Sequence, residues 1–167
     1  MNSNIDNNDL FEARKIYEGL QNSEDIFNIE FPNQTPSQYL YDYILKKQMS
    51  ATVNIKDKNI IYYIAEYLKS IRSSQSLINN AKPAHIFMSH PISVQCTPLC
   101  WIGSKQGIPV TTLFGNYGLP RFLKMKEPKD IFIGIDRPTP EDLLSLSDKQ
   151  KSKLLNIGEL YLKLRLK

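Results

Sequence analysis

Cysteine is scarce in this chain: Cys96 and Cys100 are the only two among 167 residues. Two thiols four positions apart exclude a disulfide framework. With His85 and His90 as the only histidines, no ligand spacing supports a metal site. The thiols read instead as small apolar residues of a reduced protein. Long apolar runs are missing too. No stretch reaches the roughly 20 residues needed to span a bilayer, and the polar opening Met1–Asp9 carries no signal-peptide core. A soluble, cytoplasmic protein is the default expectation. The sequence also lacks a Walker phosphate loop, a dinucleotide-binding glycine fingerprint, a nucleophile elbow and a zinc signature, which removes several enzyme classes. There is no internal repeat and no low-complexity linker. A basic stripe with interleaved aromatics is absent, so nucleic acid is not an expected partner. The net charge is +4, with some clustering at Lys149, Lys151, Lys153, Lys163, Arg165 and Lys167. That excess leaves an anionic ligand or an anionic membrane surface open as partners.

The periodicity that is present is mostly helical. Leu10, Ala13, Ile16, Tyr17 and Leu20 keep one face behind a capping Asp9. Phe27–Phe31 alternates, as a short strand or an extended loop does. Thr35-Pro36 pairs a cap with a first-turn proline and predicts a helix to Gln48, with Tyr39, Leu40, Tyr43 and Ile44 inward. A longer helix follows, capped by Asp57 or Asn54, with Ile60, Ile61, Ile64, Tyr67, Leu68 and Ile71 as its stripe, stopped by Asn79-Asn80 and Pro83. Ile86-Phe87-Met88 reads as a strand buried on both faces. A crossover helix beginning at Pro91 or at Thr97 ends near Gln106, where Gly107 suits a left-handed close. The β-rich run Ile108–Phe114 completes a parallel βαβ unit. Beyond it, Arg121–Met125 and Ile131–Ile135 read as extended segments. Thr139-Pro140 starts a short helix, and Ser147 caps a last one rich in leucine. The expected fold is α/β, a parallel sheet of few strands flanked by several helices. The expected divisions are 1–34, an α/β core at 35–138, and helices at 139–167.

In open α/β sheets ligands bind beyond the carboxyl ends of the strands. Ser89-His90 and Gly115-Asn116-Tyr117-Gly118 follow the two strands of one βαβ unit, so they are expected at a common crevice. His90 titrates near neutrality. With an early helix start, Ser89 and Ser93 would sit at a helix N-terminus, which favours an anion or a sugar oxygen. Gly115 and Gly118 let a ligand approach the backbone. Asn116 and Tyr117 add polar and stacking surface, and Arg121 suits a phosphate or carboxylate.

Three stretches carry a resemblance. "TPSQYLYDYILKKQMSATVNIKD", "HIFMSHPISVQCTPLCWIGSKQGIPVTTLFGNYGLPRFLK" and "DRPTPEDLLSLSDKQKSKLLNIGELYLKLRL" are similar to successive pieces of bacterial glycosyltransferases of capsule and surface-polysaccharide biosynthesis. The resemblance implies a Rossmann-like domain, half of a GT-B architecture. Tyr41-Asp42 matches a "YD" pair, Lys46 or Lys47 stands where an arginine is common, and Ser89-His90 matches a strand-end pair. It implies His90 or Asp42 as catalytic base, with Tyr41 beside the acceptor glycan. No cofactor is expected in this chain, because the nucleotide-sugar donor would bind mainly in a following second half. The chain is then expected to be an acceptor-side fragment, inactive alone, cytoplasmic or peripheral at the inner membrane. Whether it is itself an enzyme stays open. The alternatives are a non-catalytic module that docks on a separate donor-binding domain or on a second copy through the last helix, and a phosphate or nucleotide binder using the helix after Ser89.

Overall fold

The computed structural model describes residues 5–89, 91–116, 119–132 and 144–165. The chain divides into two units after Gly134. The first contains α1 (Asn7–Glu18), α2 (Gln38–Gln48), α3 (Ile60–Ala81), β1 (Ile86–Met88), α4 (Thr97–Lys105), β2 (Val110–Asn116) and β3 (Leu119–Met125), with 3-10 turns at Ser23–Asn28, Pro32–Gln34 and Pro128–Phe132. The second contains α5 (Asp148–Arg165). The protein is a mixed α/β chain, mostly helical, with an open three-stranded sheet. Among the described residues no helix is long and apolar enough to cross a membrane.

Local chemistry moves several helix starts from the expected positions. The cap of α1 is Asp6, whose carboxylate accepts from the Asp9 amide at 2.8 Å while Asp9 accepts from the Asp6 amide at 3.3 Å. Asp9 is therefore the third residue of a capping box rather than the cap. Arg72 of α3 pairs with both carboxylates and clamps this end of α1 to α3. Phe27–Phe31 forms no strand, because residues to Asn28 wind into a 3-10 turn capped by Asn22. Thr35 spends its hydroxyl on the Pro32 carbonyl (2.7 Å), so α2 starts later, after Ser37. Asn59 precedes α3, and its amide is held by the Asp57 carboxylate at 3.0 Å. Ser147 caps α5 reciprocally with Gln150: the Ser147 amide donates to the Gln150 side chain at 2.9 Å and Ser147 Oγ accepts from the Gln150 amide at 3.4 Å.

The largest core cluster is built on α3. Ile60, Ile64, Tyr67, Leu68, Ile71 and Ile78 recur on one face and are buried against α1, α2 and the connecting turns. A second cluster joins α4 and the inner face of the sheet through Ile86, Val110, Met125, Cys100 and Tyr39. The crossover helix takes the later of its two candidate starts: Thr97, with Pro98 in the first turn. It closes on Gly107, whose φ of +77° is left-handed, a region glycine enters without a Cβ penalty.

β1 and β2 pair in parallel, with Ile86 opposite Val110 and Met88 opposite Thr112. The sheet is nevertheless not all parallel. The segment from Leu119 returns along β2 as an antiparallel third strand, with Val110 opposite Met125. Nor is β1 buried on both sides. Phe87 is 58% exposed and Phe122 of β3 is 64% exposed, and their rings meet at 5.9 Å on the outer face. Ile131 and Phe132, read as part of an extended segment, belong to a 3-10 turn. Residues 133–135 and the start of the Thr139-Pro140 helix lie outside the described residues.

Gly103 sets how closely α4 approaches the sheet. A Cβ there would lie 2.3 Å from Ile86 Cδ1 and 3.7 Å from Val110 Cγ2. Alanine needs only a shift of the Ile86 tip and gains helix propensity. Leucine has no room. Gly103→Leu should lower unfolding free energy by about 1–3 kcal/mol in denaturant titration, and Gly103→Ala should stay within about 1 kcal/mol of wild type.

Candidate functional site

A cleft of about 590 Å³ opens between α2, α3 and the segment leading into α4. Tyr39, Asp42, Tyr43 and Lys46 come from α2, where spacings of three and four bring them to one face. Glu66, Lys69, Ser70 and Ser73 come from α3 with the same spacing. Ile92, Ser93, Val94 and Gln95 form the third wall. That segment is irregular but tied down. Ser70 Oγ donates to the Gln95 carbonyl at 3.2 Å, and buried Thr97 donates to the Pro91 carbonyl at 2.7 Å. Thr97 Oγ1 also accepts from the Ser93 amide at 3.1 Å, and Ser93 Oγ accepts from the Cys96 amide at 3.1 Å.

Two carboxylates and two lysines line the cleft, so its formal charges balance. Asp42 is exposed at the wall, yet the protein around it displaces enough water to raise its carboxyl above the usual aspartate value, with the Lys46 ammonium pulling the other way. Tyr43 donates a short hydrogen bond to Glu66, and burial followed by that bond raises its phenol, so it is a neutral donor across the physiological range. Tyr39 is 3% exposed, and its ring stacks on Phe132 at 5.3 Å. Its hydroxyl is buried with no hydrogen-bond partner among the described residues, the one buried side-chain polar atom there in that condition. Burial first, and then the Asp42 charge, raise its phenol.

Of the residues singled out from sequence, the cleft brings together Asp42, Lys46 and Ser93. Tyr41 sits on the same helix but turns to Phe27, stacking at 4.5 Å against the main core. Ser89 is exposed just after β1. α4 begins at Thr97, so Ser89 and Ser93 precede it and the early helix start that would have put them at its N-terminus is not taken. Gly115 and Asn116, expected in a turn, are strand residues of β2 opposite Pro120 and Leu119, and Arg121 of β3 stands opposite Phe114. The two strand tips are also not level. β1 ends opposite Thr112, and β2 continues four residues further, about 13 Å at the usual rise per residue. His90, Tyr117 and Gly118 lie outside the described residues. Sequence reading missed Tyr39, Tyr43, Glu66, Lys69, Ser70 and Ser73 as site residues. The signal was there in part: the last four recur at positions i, i+3, i+4 and i+7, a polar stripe on a helix otherwise assigned to the core.

Comparison with protein-family models, with curated proteins and with solved structures finds no match to this chain.

An unpartnered buried hydroxyl costs about 1–3 kcal/mol. Tyr39→Phe should therefore stabilise the protein, by up to that amount, in chemical denaturation. Tyr67→Phe should do the opposite, because Tyr67 Oη donates to the Pro36 carbonyl at 2.6 Å and its loss leaves that carbonyl unsatisfied. For Asp42, a folded-state pKa above the unfolded value means the charged carboxylate subtracts from stability at high pH. That deficit vanishes as pH falls from the folded pKa through the unfolded one. Asp42→Asn should raise stability at neutral pH and show no gain below the ordinary aspartate range. Lys46→Met should move the Asp42 midpoint further up in a carboxyl NMR titration.

Proposed function

We propose that this chain is the acceptor-side part of a glycosyltransferase of surface or capsular polysaccharide assembly, with a polyhydroxylated acceptor held in the cleft between α2 and α3. The observation that carries the reading is the Tyr39 hydroxyl: a buried donor with no acceptor among the described residues, beside a carboxylate whose pKa is raised. A movement of the cleft wall that uncovers this hydroxyl would let a sugar oxygen supply what Tyr39 lacks. The remaining chemistry of the walls supports a neutral, hydroxyl-rich ligand: balanced charges, serines and a Gln at the rim, and the tyrosine rings. The parallel β1–α4–β2 unit supports a Rossmann-like half of a GT-B architecture, as does the resemblance in the three quoted stretches.

In this reading Asp42 is the general base. Its raised pKa brings it nearer the working pH, where a base is most effective. It takes the proton of an acceptor hydroxyl as that oxygen bonds to the anomeric carbon of the donor. The anomeric carbon–phosphate oxygen bond breaks, and the electron pair leaves with the nucleotide. The donor belongs to a second domain, and this chain alone binds acceptor without turning it over.

Heteronuclear NMR titration of the full chain with neutral oligosaccharides of hexoses and N-acetylhexosamines tests this. Shifts are expected at the α2 and α3 residues of the cleft, in the weak-binding regime. Tyr39→Phe should weaken binding about threefold to tenfold, the value of one hydrogen bond, while the protein itself becomes more stable. Saccharides that leave the cleft resonances unmoved, or that bind Tyr39→Phe as well as wild type, would refute the assignment.

A further inference from the structure

The second unit carries a surface independent of the cleft. Leu154, Leu155, Ile157, Leu160 and Leu162 of α5 are all substantially exposed, Leu155 at 69%. At 100° per residue they span an arc of about 220°, into which Lys151 and Lys153 also fall, and the remaining stripe holds Lys149, Ser152, Asn156, Glu159 and Lys163. Leu144 and Leu146 extend the apolar surface into a groove of about 750 Å³ along the helix. Its floor is open above Gly158, where a Cβ would meet nothing within 4 Å.

The charge on this helix says what can cover it. From Asp148 to Lys167 the sequence has six Lys or Arg and two acidic residues, a net +4. That equals the net charge of the whole chain, so residues 1–147 balance to zero. A second copy of α5, Asp148–Arg165, would set +3 against +3 while burying the leucines between them. A surface that is apolar below and anionic above satisfies both features. The leucines enter the acyl boundary and the lysines reach up to phosphate, their stems lying along the apolar side as Lys151 already does beside Leu154 and Leu155. We propose that α5 docks in the plane of an anionic lipid bilayer, its leucine face down and its lysines at the headgroups.

Co-sedimentation of the full chain with vesicles tests it. Vesicles of phosphatidylcholine containing phosphatidylglycerol should bind the protein at least tenfold more tightly than phosphatidylcholine alone, and raised salt should erode the difference. Replacing Lys149 and Lys163 together by Gln should weaken binding about 25-fold, at about fivefold per basic residue. Leu155→Asp should abolish binding to both vesicle types. These side chains are exposed, so the variants should keep the wild-type circular dichroism spectrum. Equal binding to neutral and anionic vesicles, no binding to either, or full binding by Leu155→Asp would overturn the proposal. So would a lipid-free dimer that Leu155→Asp dissociates, which would identify a second copy as the occupant.

Discussion

The hydroxyl of Tyr67 lies 2.6 Å from the carbonyl of Pro36, and that contact fixes the entry to α2 against the middle of α3. Tyr67 is fully buried, with its ring edge-on to Phe31 at 4.9 Å, so the bond forms where water cannot compete for either group. One helix of 22 residues thereby organises the unit. α1 is clamped to it by Arg72, and α2 is hung on it at Pro36. The segment before α4 is held by Ser70. The cleft is the gap these three attachments leave.

The polar walls of that gap differ in how far their needs are met. Tyr43 and Glu66 satisfy one another, Ser93 serves the backbone beside it, and Ser70 serves the Gln95 carbonyl. Tyr39 is left over. Its ring has a structural task, stacking on Phe132 and joining the sheet cluster, and its hydroxyl is carried along to a depth where it has no acceptor among the described residues. A phenylalanine would do the packing without the desolvation cost.

Two further surfaces are apolar without being core. The outer face of the sheet shows Phe87 and Phe122, and α5 shows its leucines. They differ in charge. Within the sheet the aromatic pair is flanked by exposed Lys124 and by His85, whose Nε2 lies 3.0 Å from Thr111 Oγ1. The sequence from Asp148 to Lys167, most of it α5, carries the chain's entire charge excess. The contrast matters because apolar exposure by itself names no partner, whereas apolar exposure bound to one sign of charge does.

The sequence by itself determined the helices, the parallel βαβ unit, the left-handed close at Gly107 and the serine cap of α5, and it narrowed the start of α4 to two positions between which the structure chose. Each depends on interactions within a few residues or on a repeat of 3.6 or 2, and such signals are local. It also determined where the charge lies. Tertiary structure decided the rest: that Phe87 faces outward, that Leu119–Met125 turns back antiparallel, that Asp42 and Ser93 share a cleft with the α3 stripe while Gly115 and Asn116 stay in a strand. It alone decided that Tyr39, an inward tyrosine in the helical pattern, has no acceptor among the described residues. Whether a buried polar atom finds a partner depends on groups brought together from segments tens of residues apart, and no periodicity in the chain records that sum.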